Sequence, residues 1–183
     1  MGRKYVFRDH SKIYFVTLTI IGWVDIFIRE QYRNIIYDSI RFCQKNKCLE
    51  VYGYVIMTNH IHLIIGTSAG NLSGILRDLK SFTSRQIRQA IESGTKESRK
   101  EWMLNLFYQS GIMNSRNNDF QLWQQHNHPV ELSGTAMMMQ RLNYIHKNPV
   151  KIGFVEKEEE WLHSSAGDYH GIRKGPVDLI LIE

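Results

Sequence analysis

The sequence predicts an α+β fold: a ferredoxin-like, split βαβ antiparallel sheet with an added C-terminal helix. Three observations lead there. Hydrophobic periodicity orders the elements as strand, helix, strand, strand, helix, strand. The two middle strands are joined by the tight Thr58-Asn59 pair, so they pair antiparallel. The chain has 183 residues, 43% hydrophobic and 22% charged, the profile of one globular domain with a sizeable core.

A polar, basic lead-in spans residues 1–12. Residues 13–20 (IYFVTLTI) form the first strand by their β-branched and aromatic content. A helix over 30–45 follows, with Ile35, Ile36, Ser39, Ile40 and Cys43 at helical spacing. The stretch 51–66 (VYGYVIMTNHIHLIIG) supplies the hairpin, and 67–71 is a loop. The second helix covers 72–93: Leu72, Leu76, Leu79, Thr83 and Ile87 make its apolar face, and Arg77, Ser81, Arg85 and Arg88 make another, basic with nearby Lys80. A charged break at 92–100 and a short helix at 101–107 come next. The polar segment 111–119 reads as flexible, and 120–123 (FQLW) as the last core strand. Ser133 is placed to cap a helix that runs through Met137, Met138, Leu142 and Ile145 to Asn148, where Pro149 stops it. Residues 1–183 read as a single domain, with a C-terminal extension from about 156 packed on it.

The net charge of +5 permits a nucleic-acid partner without requiring one. Cys43 and Cys48 form no metal-spaced cluster and suit a reducing compartment. No apolar run reaches transmembrane length, and the start lacks the apolar core of a signal peptide, so a cytoplasmic location and no membrane partner are expected.

Strand alternation puts His60 and His62 on one face and Ile61 and Leu63 on the other. Two imidazoles a pleat apart can hold one metal ion, or can merely satisfy local hydrogen bonds. By softness they suit zinc at least as well as Mg²⁺. A second His-x-His, His126 and His128, lies in a polar stretch beside Pro129 with no strand frame, and its role is open. In the last helix, Arg141, Tyr144 and Asn148 share a face beside the core-facing Met138, Leu142 and Ile145.

Asn59-His60-Ile61-His62 together with residues 144–150 (YIHKNPV) resembles the HUH single-tyrosine transposases of small bacterial insertion sequences. With Gly153-Phe154-Val155 and Trp161-Leu162-His163-Ser164-Ser165, the chain is most similar to the REP-associated tyrosine transposase branch, over roughly residues 14–169. The resemblance implies a metal-dependent transposase and single-strand nickase. His60 and His62 would bind Mg²⁺ or Mn²⁺, with Asn148 as third ligand where many relatives have Gln. Tyr144 would be the nucleophile and form a 5′-phosphotyrosine. That ester keeps the phosphodiester bond energy, so the strand can be rejoined without ATP.

The implied partner is single-stranded DNA with imperfect hairpins. Arg77, Lys80, Arg85 and Arg88 would meet its phosphates, as would Arg141 and Lys147, which could also favour a phenolate. Arg3 and Lys4 could track the hairpin, and Tyr52, Tyr54 or Trp123 could stack on bases. Relatives from insertion sequences are dimers that share active sites, whereas REP-associated ones can be monomeric, so a homodimer and a monomer are both compatible. Two other functions stay open: a hydrolase using metal-bound hydroxide, and a non-catalytic or host-adopted hairpin-binding protein.

Overall fold

The computed structural model describes residues 7–95, 97–114 and 119–183. Arg3 and Lys4, and residues 115–118 of the segment read as flexible, lie outside the described residues.

Strands β1 (Tyr14–Thr19), β2 (Leu49–Ile56), β3 (His60–Thr67) and β4 (Val130–Glu131) form one sheet in the order β2-β3-β1-β4. Every neighbouring pair is antiparallel. Helices α1 (Glu30–Lys47) and α2 (Leu72–Ser93) complete the split βαβ order that the sequence predicts.

Alternation along the strands gives the sheet two faces. Val16, Leu18, Tyr54, Ile56, Ile61 and Leu63 pack under α1 and α2 in the larger core. Phe15, Val55, Met57 and Ile64 point to the other face, where they meet Met138, Leu142 and Ile145 of α4 (Thr135–His146). The added helix therefore covers the face that α1 and α2 leave free.

Several boundaries differ from the sequence reading. Residues 120–123 form no regular strand: Trp123 makes one bridge to Ile20, and the paired β4 falls at Val130–Glu131. Side chains hold 120–123 in place instead, as the Gln121 amide donates to the Trp123 carbonyl and the Trp123 indole donates to Thr83. Helix α3 (Lys100–Ile112) is longer than expected, with Met103, Phe107 and Gly111 buried. Within the charged break, Glu97 is fully buried between Arg29 and Arg99 rather than solvated.

Ser133 does not cap α4: Gly134 is its N-cap at φ 100°, with no side-chain cap bond. Pro149 does not stop the helical path either. A further turn, α5 (Asn148–Lys151), starts at Asn148, and Pro149 occupies its opening, where a missing N–H costs nothing.

The tail runs along the outer edge of β2. Ile56 donates its N–H to the His163 carbonyl at 2.8 Å, Ser165 to Tyr54 at 2.9 Å and Ile180 to Val51 at 2.9 Å. This contact covers a strand edge that would otherwise be open to pairing with another chain.

Candidate active site on the second face of the sheet

The site begins with the turn between β2 and β3. The Thr58 and Asn59 carbonyls accept from Phe27 and Ile20, which fixes the turn against the chain leaving β1. His60 then opens β3 with Nδ1 2.7 Å from Asn59 Oδ1. An amide oxygen only accepts, so Nδ1 carries the proton and Nε2 keeps a lone pair. His62 lies opposite Thr17 in the ladder, with its Nδ1 2.9 Å from Thr17 Oγ1. Both imidazoles are thus anchored through Nδ1, the kind of support that orients metal-binding histidines.

The two rings lie 4.8 Å apart, centroid to centroid. Burial lowers the pKa of His60. For His62, burial first, then His60 and Arg141, push it down to about 3. At neutral pH both rings are uncharged, the form that binds a cation.

Helix α4 brings the tyrosine. It docks closely because Gly53 of β2 has no side chain: a Cβ there would sit 2.6 Å from Leu142 Cδ1. His146 adds a bond from the far end of the helix, its Nε2 2.8 Å from Ser165 Oγ. Burial holds His146 down at about 4. Tyr144 remains 38% exposed, with its ring 5.5 Å from that of His62 and 6.0 Å from that of Phe15. Asn148, half-buried, follows one turn later as the first residue of α5.

The donor set fits a divalent cation only in part from ionisable groups. Among the described residues, no cluster of three or more His, Cys, Asp or Glu could hold a metal. Two neutral imidazoles would need a further neutral donor, such as an amide, and an anionic partner from outside the chain.

The cations divide sharply. Arg141 lies 5.1 Å over the Phe15 ring, with its Nε buried and without a hydrogen-bond partner. Lys147 is exposed. Lys151 was missed by the sequence reading, which ends the helix at Asn148; its ammonium sits 5.2 Å over the Tyr144 ring. On α2, Arg77 pairs with Asp78 at 3.1 Å. Arg88 pairs with Glu92 at 2.9 Å and Asp119 at 3.0 Å, and lies over the Tyr108 and Phe120 rings.

Lys80 turns inward. Its ammonium donates at 2.7 Å to both the Gln124 carbonyl and Asn127 Oδ1, and burial brings it down to about 8. Arg85 is exposed on the wall of a cleft of about 610 Å³ between α2 and residues 119–126. Of the sequence-level stacking candidates, Tyr54 and Trp123 are buried at 0% and 4% exposure, and Tyr52 is half-buried with its hydroxyl on Glu50. Tyr54 and Trp123 therefore present no free ring face.

His126 and His128 sit on the loop beside β1, both exposed, with ring centroids 6.1 Å apart. The same loop touches the site from behind. Lys80 holds Asn127, the Asn127 carbonyl accepts from the Thr17 N–H at 3.0 Å, and Thr17 holds His62.

No curated protein sequence matches the chain significantly. Its fold is similar to that of a REP-associated tyrosine transposase solved bound to a REP hairpin, at TM-score 0.64 and 17% identity over 95% of this chain and 87% of that one. A candidate transposase from Deinococcus radiodurans matches at TM-score 0.40 and 17% identity, over 80% of this chain and 95% of the other. Residues 15–126, which carry β2, β3, all of β1 but Tyr14 and the His60/His62 pair, and end before His128 and α4, match the sequence profile described as "Transposase IS200 like", and the chain belongs to that family of transposases.

Proposed function

We propose that this chain cleaves and rejoins single-stranded DNA beside an imperfect hairpin, with Tyr144 as the nucleophile. The observation that carries the reading is the Tyr144 ring standing 5.5 Å from His62, part-exposed, on the face of the sheet that holds both anchored histidines. A Mg²⁺ or Mn²⁺ ion held by His60, His62 and Asn148 would polarise the scissile phosphate and offset its growing charge.

The chain's own residues do the rest. Tyr144 Oη forms an ester bond to the 5′ phosphate as the bond from phosphorus to the 3′ oxygen breaks. The phenol proton leaves to solvent, and the departing oxygen ends as a free 3′ hydroxyl. Reversal needs only a 3′ hydroxyl, so the same residues reseal the strand. Lys151, 5.2 Å over the Tyr144 ring, and Arg141, over the neighbouring Phe15 ring, add positive charge for the phosphate that approaches the tyrosine. Asn59 and Thr17 hold the two imidazoles in place through Nδ1.

Beyond the reaction centre, Arg77, Arg85 and Lys147 are the DNA contacts this reading retains in full. Lys80 and Arg88 act chiefly by shaping the α2 cleft. In this reading residues 1–183 form one catalytic unit, with the tail from about 156 bracing β2. It works in the cytoplasm as a monomer or homodimer. Among the described residues, no helix is long and apolar enough to cross a membrane.

The test is covalent trapping. Wild type incubated with end-labelled hairpin DNA and Mn²⁺ should carry label into the protein band after denaturation, with the adduct on Tyr144. Tyr144→Phe should bind the hairpin normally and form no adduct. Normal cleavage by the Phe variant would favour a hydrolase. An adduct on Tyr169 or Tyr108 would move the nucleophile, although their hydroxyls are engaged on the Tyr52 carbonyl and Glu92.

A further inference from the structure

The connection from β1 to α1 contains a conformation that its sequence does not favour. Gly22 and Trp23 are both left-handed, at φ 65° and 56°. Glycine adopts this freely, whereas a bulky side chain rarely does, and such outliers gather at functional sites.

The surroundings over-determine the backbone here. Trp23 donates its N–H to Ile20 at 3.1 Å, and Ile21 donates to Leu122 at 2.8 Å. Leu106 of α3 closes on Gly22 so tightly that a Cβ would lie 2.8 Å from its Cδ2. Val24, Ile26 and Phe27 immediately after are buried. The side chain held by this rigid frame does no packing of its own kind: the Trp23 indole is 60% exposed. It stands 6.1 Å from the His60 ring, nearly perpendicular at 72°. By contrast, Trp123 and Trp161 use their indole N–H groups on Thr83 and Ile56.

A wide aromatic face fixed beside the candidate metal site carries no charge for a phosphate. What it matches in size and chemistry is an unpaired nucleobase, which binds protein aromatics by stacking. We propose that Trp23 is the stacking platform for the unpaired base next to the scissile phosphate, on the His60 side of the site. This deepens the strand-transfer reading and rests on it for the identity of the substrate. In this assignment Trp23 acts on the single-stranded flank alone and makes no contact with the hairpin stem. A rigid platform would set how far that flank is drawn across the histidines, and hence which phosphate reaches Tyr144.

The test uses full-length protein and two hairpin oligonucleotides, one with a single-stranded flank and one without. Trp23→Ala should weaken binding of the flanked hairpin about 5- to 150-fold, the range for loss of one base–aromatic stack. It should leave the bare hairpin unchanged, and Trp23→Phe should recover most of the loss. An abasic nucleotide is then moved through the flank. At one position it should cost wild type a similar factor and cost Trp23→Ala nothing more.

Equal weakening for both oligonucleotides would make Trp23 a structural residue and overturn the proposal. So would independent, multiplying losses from the abasic site and the substitution at every position. Because these are binding measurements, they stand whether or not wild type forms an adduct on Tyr144. Failure of that adduct would sink the catalytic reading alone.

Discussion

The chain contains two His-x-His pairs with the same spacing and different fates. His60 and His62 lie on a strand, so alternation fixes both to one face, and Asn59 and Thr17 fix both rings through Nδ1. His126 and His128 lie on an exposed loop where His128 adopts φ 42°, and their rings are 6.1 Å apart against 4.8 Å for the strand pair. The backbone and the neighbouring side chains hold the strand pair in one geometry. The spacing alone does not do that.

The largest expected effect breaks this comparison directly. His60→Ala or His62→Ala should abolish Mn²⁺-dependent nicking of hairpin DNA, whereas the double change at His126 and His128 should leave the rate within about threefold of wild type, as for surface positions. Calorimetric titration with Mn²⁺ should show binding lost in the first variants and retained in the second. Wild-type nicking by the strand-pair variants would reverse the assignment.

The strand pair was legible because its signals agree. An apolar frame, β-branched neighbours and period-two alternation all place His60 and His62 together, and element order predicts an antiparallel sheet, though with its last strand at 120–123 rather than Val130–Glu131. What stayed hidden depends on partners distant in sequence. Lys80 lies on the polar flank of a helix and reads as a phosphate contact. It takes the loop more than forty residues later to supply the two oxygens that turn it inward. Lys151 was hidden by a local rule applied too firmly: proline ends helices, yet it also starts them, and Pro149 opens the turn that returns Lys151 to Tyr144. No periodicity marks Trp23, since its exposure follows from a left-handed backbone set by Leu106 and Leu122. The weak alternation at 120–123 was outweighed by side-chain bonds from Gln121 and Trp123.

A smaller change should sharpen the comparison. The strand pair has α4, the helix of the proposed nucleophile, docked beside it, and that docking depends on Gly53. In Gly53→Ala the new methyl would meet Leu142 Cδ1 at 2.6 Å and Ile145 Cδ1 at 3.2 Å, both tips of buried side chains. Overpacking of this kind should cost about 1–2 kcal/mol. Helix α4 would lift by a fraction of an ångström, and misplacing a reacting group on that scale should slow nicking about tenfold. Hairpin affinity, read by electrophoretic shift, should hold. A variant with wild-type rate and a lowered melting temperature would show that the tyrosine's position tolerates the shift.

The smallest effect concerns the fold's response to acid, read without metal. His62 is 6% exposed, and its pKa in the fold falls to about 3, chiefly through burial. An unfolded chain leaves an imidazole near about 6.5. Between those values the unfolded state binds the proton and the folded state does not, so stability falls as pH drops through that window and levels off below about 3. One such group contributes a slope of up to about 1.4 kcal/mol per pH unit. His146 and His163, each held down to about 4 by burial, add to the same limb. His62→Asn should therefore flatten the dependence of urea-unfolding free energy between pH 6 and 4.5 by about one proton's share, leaving the slopes of the other two. The neutrality of His62 would then be measurable as a property of the fold even with no ion present. An unchanged slope in the variant would mean that His62 takes up its proton without unfolding the chain, and that the site opens more readily than its burial implies.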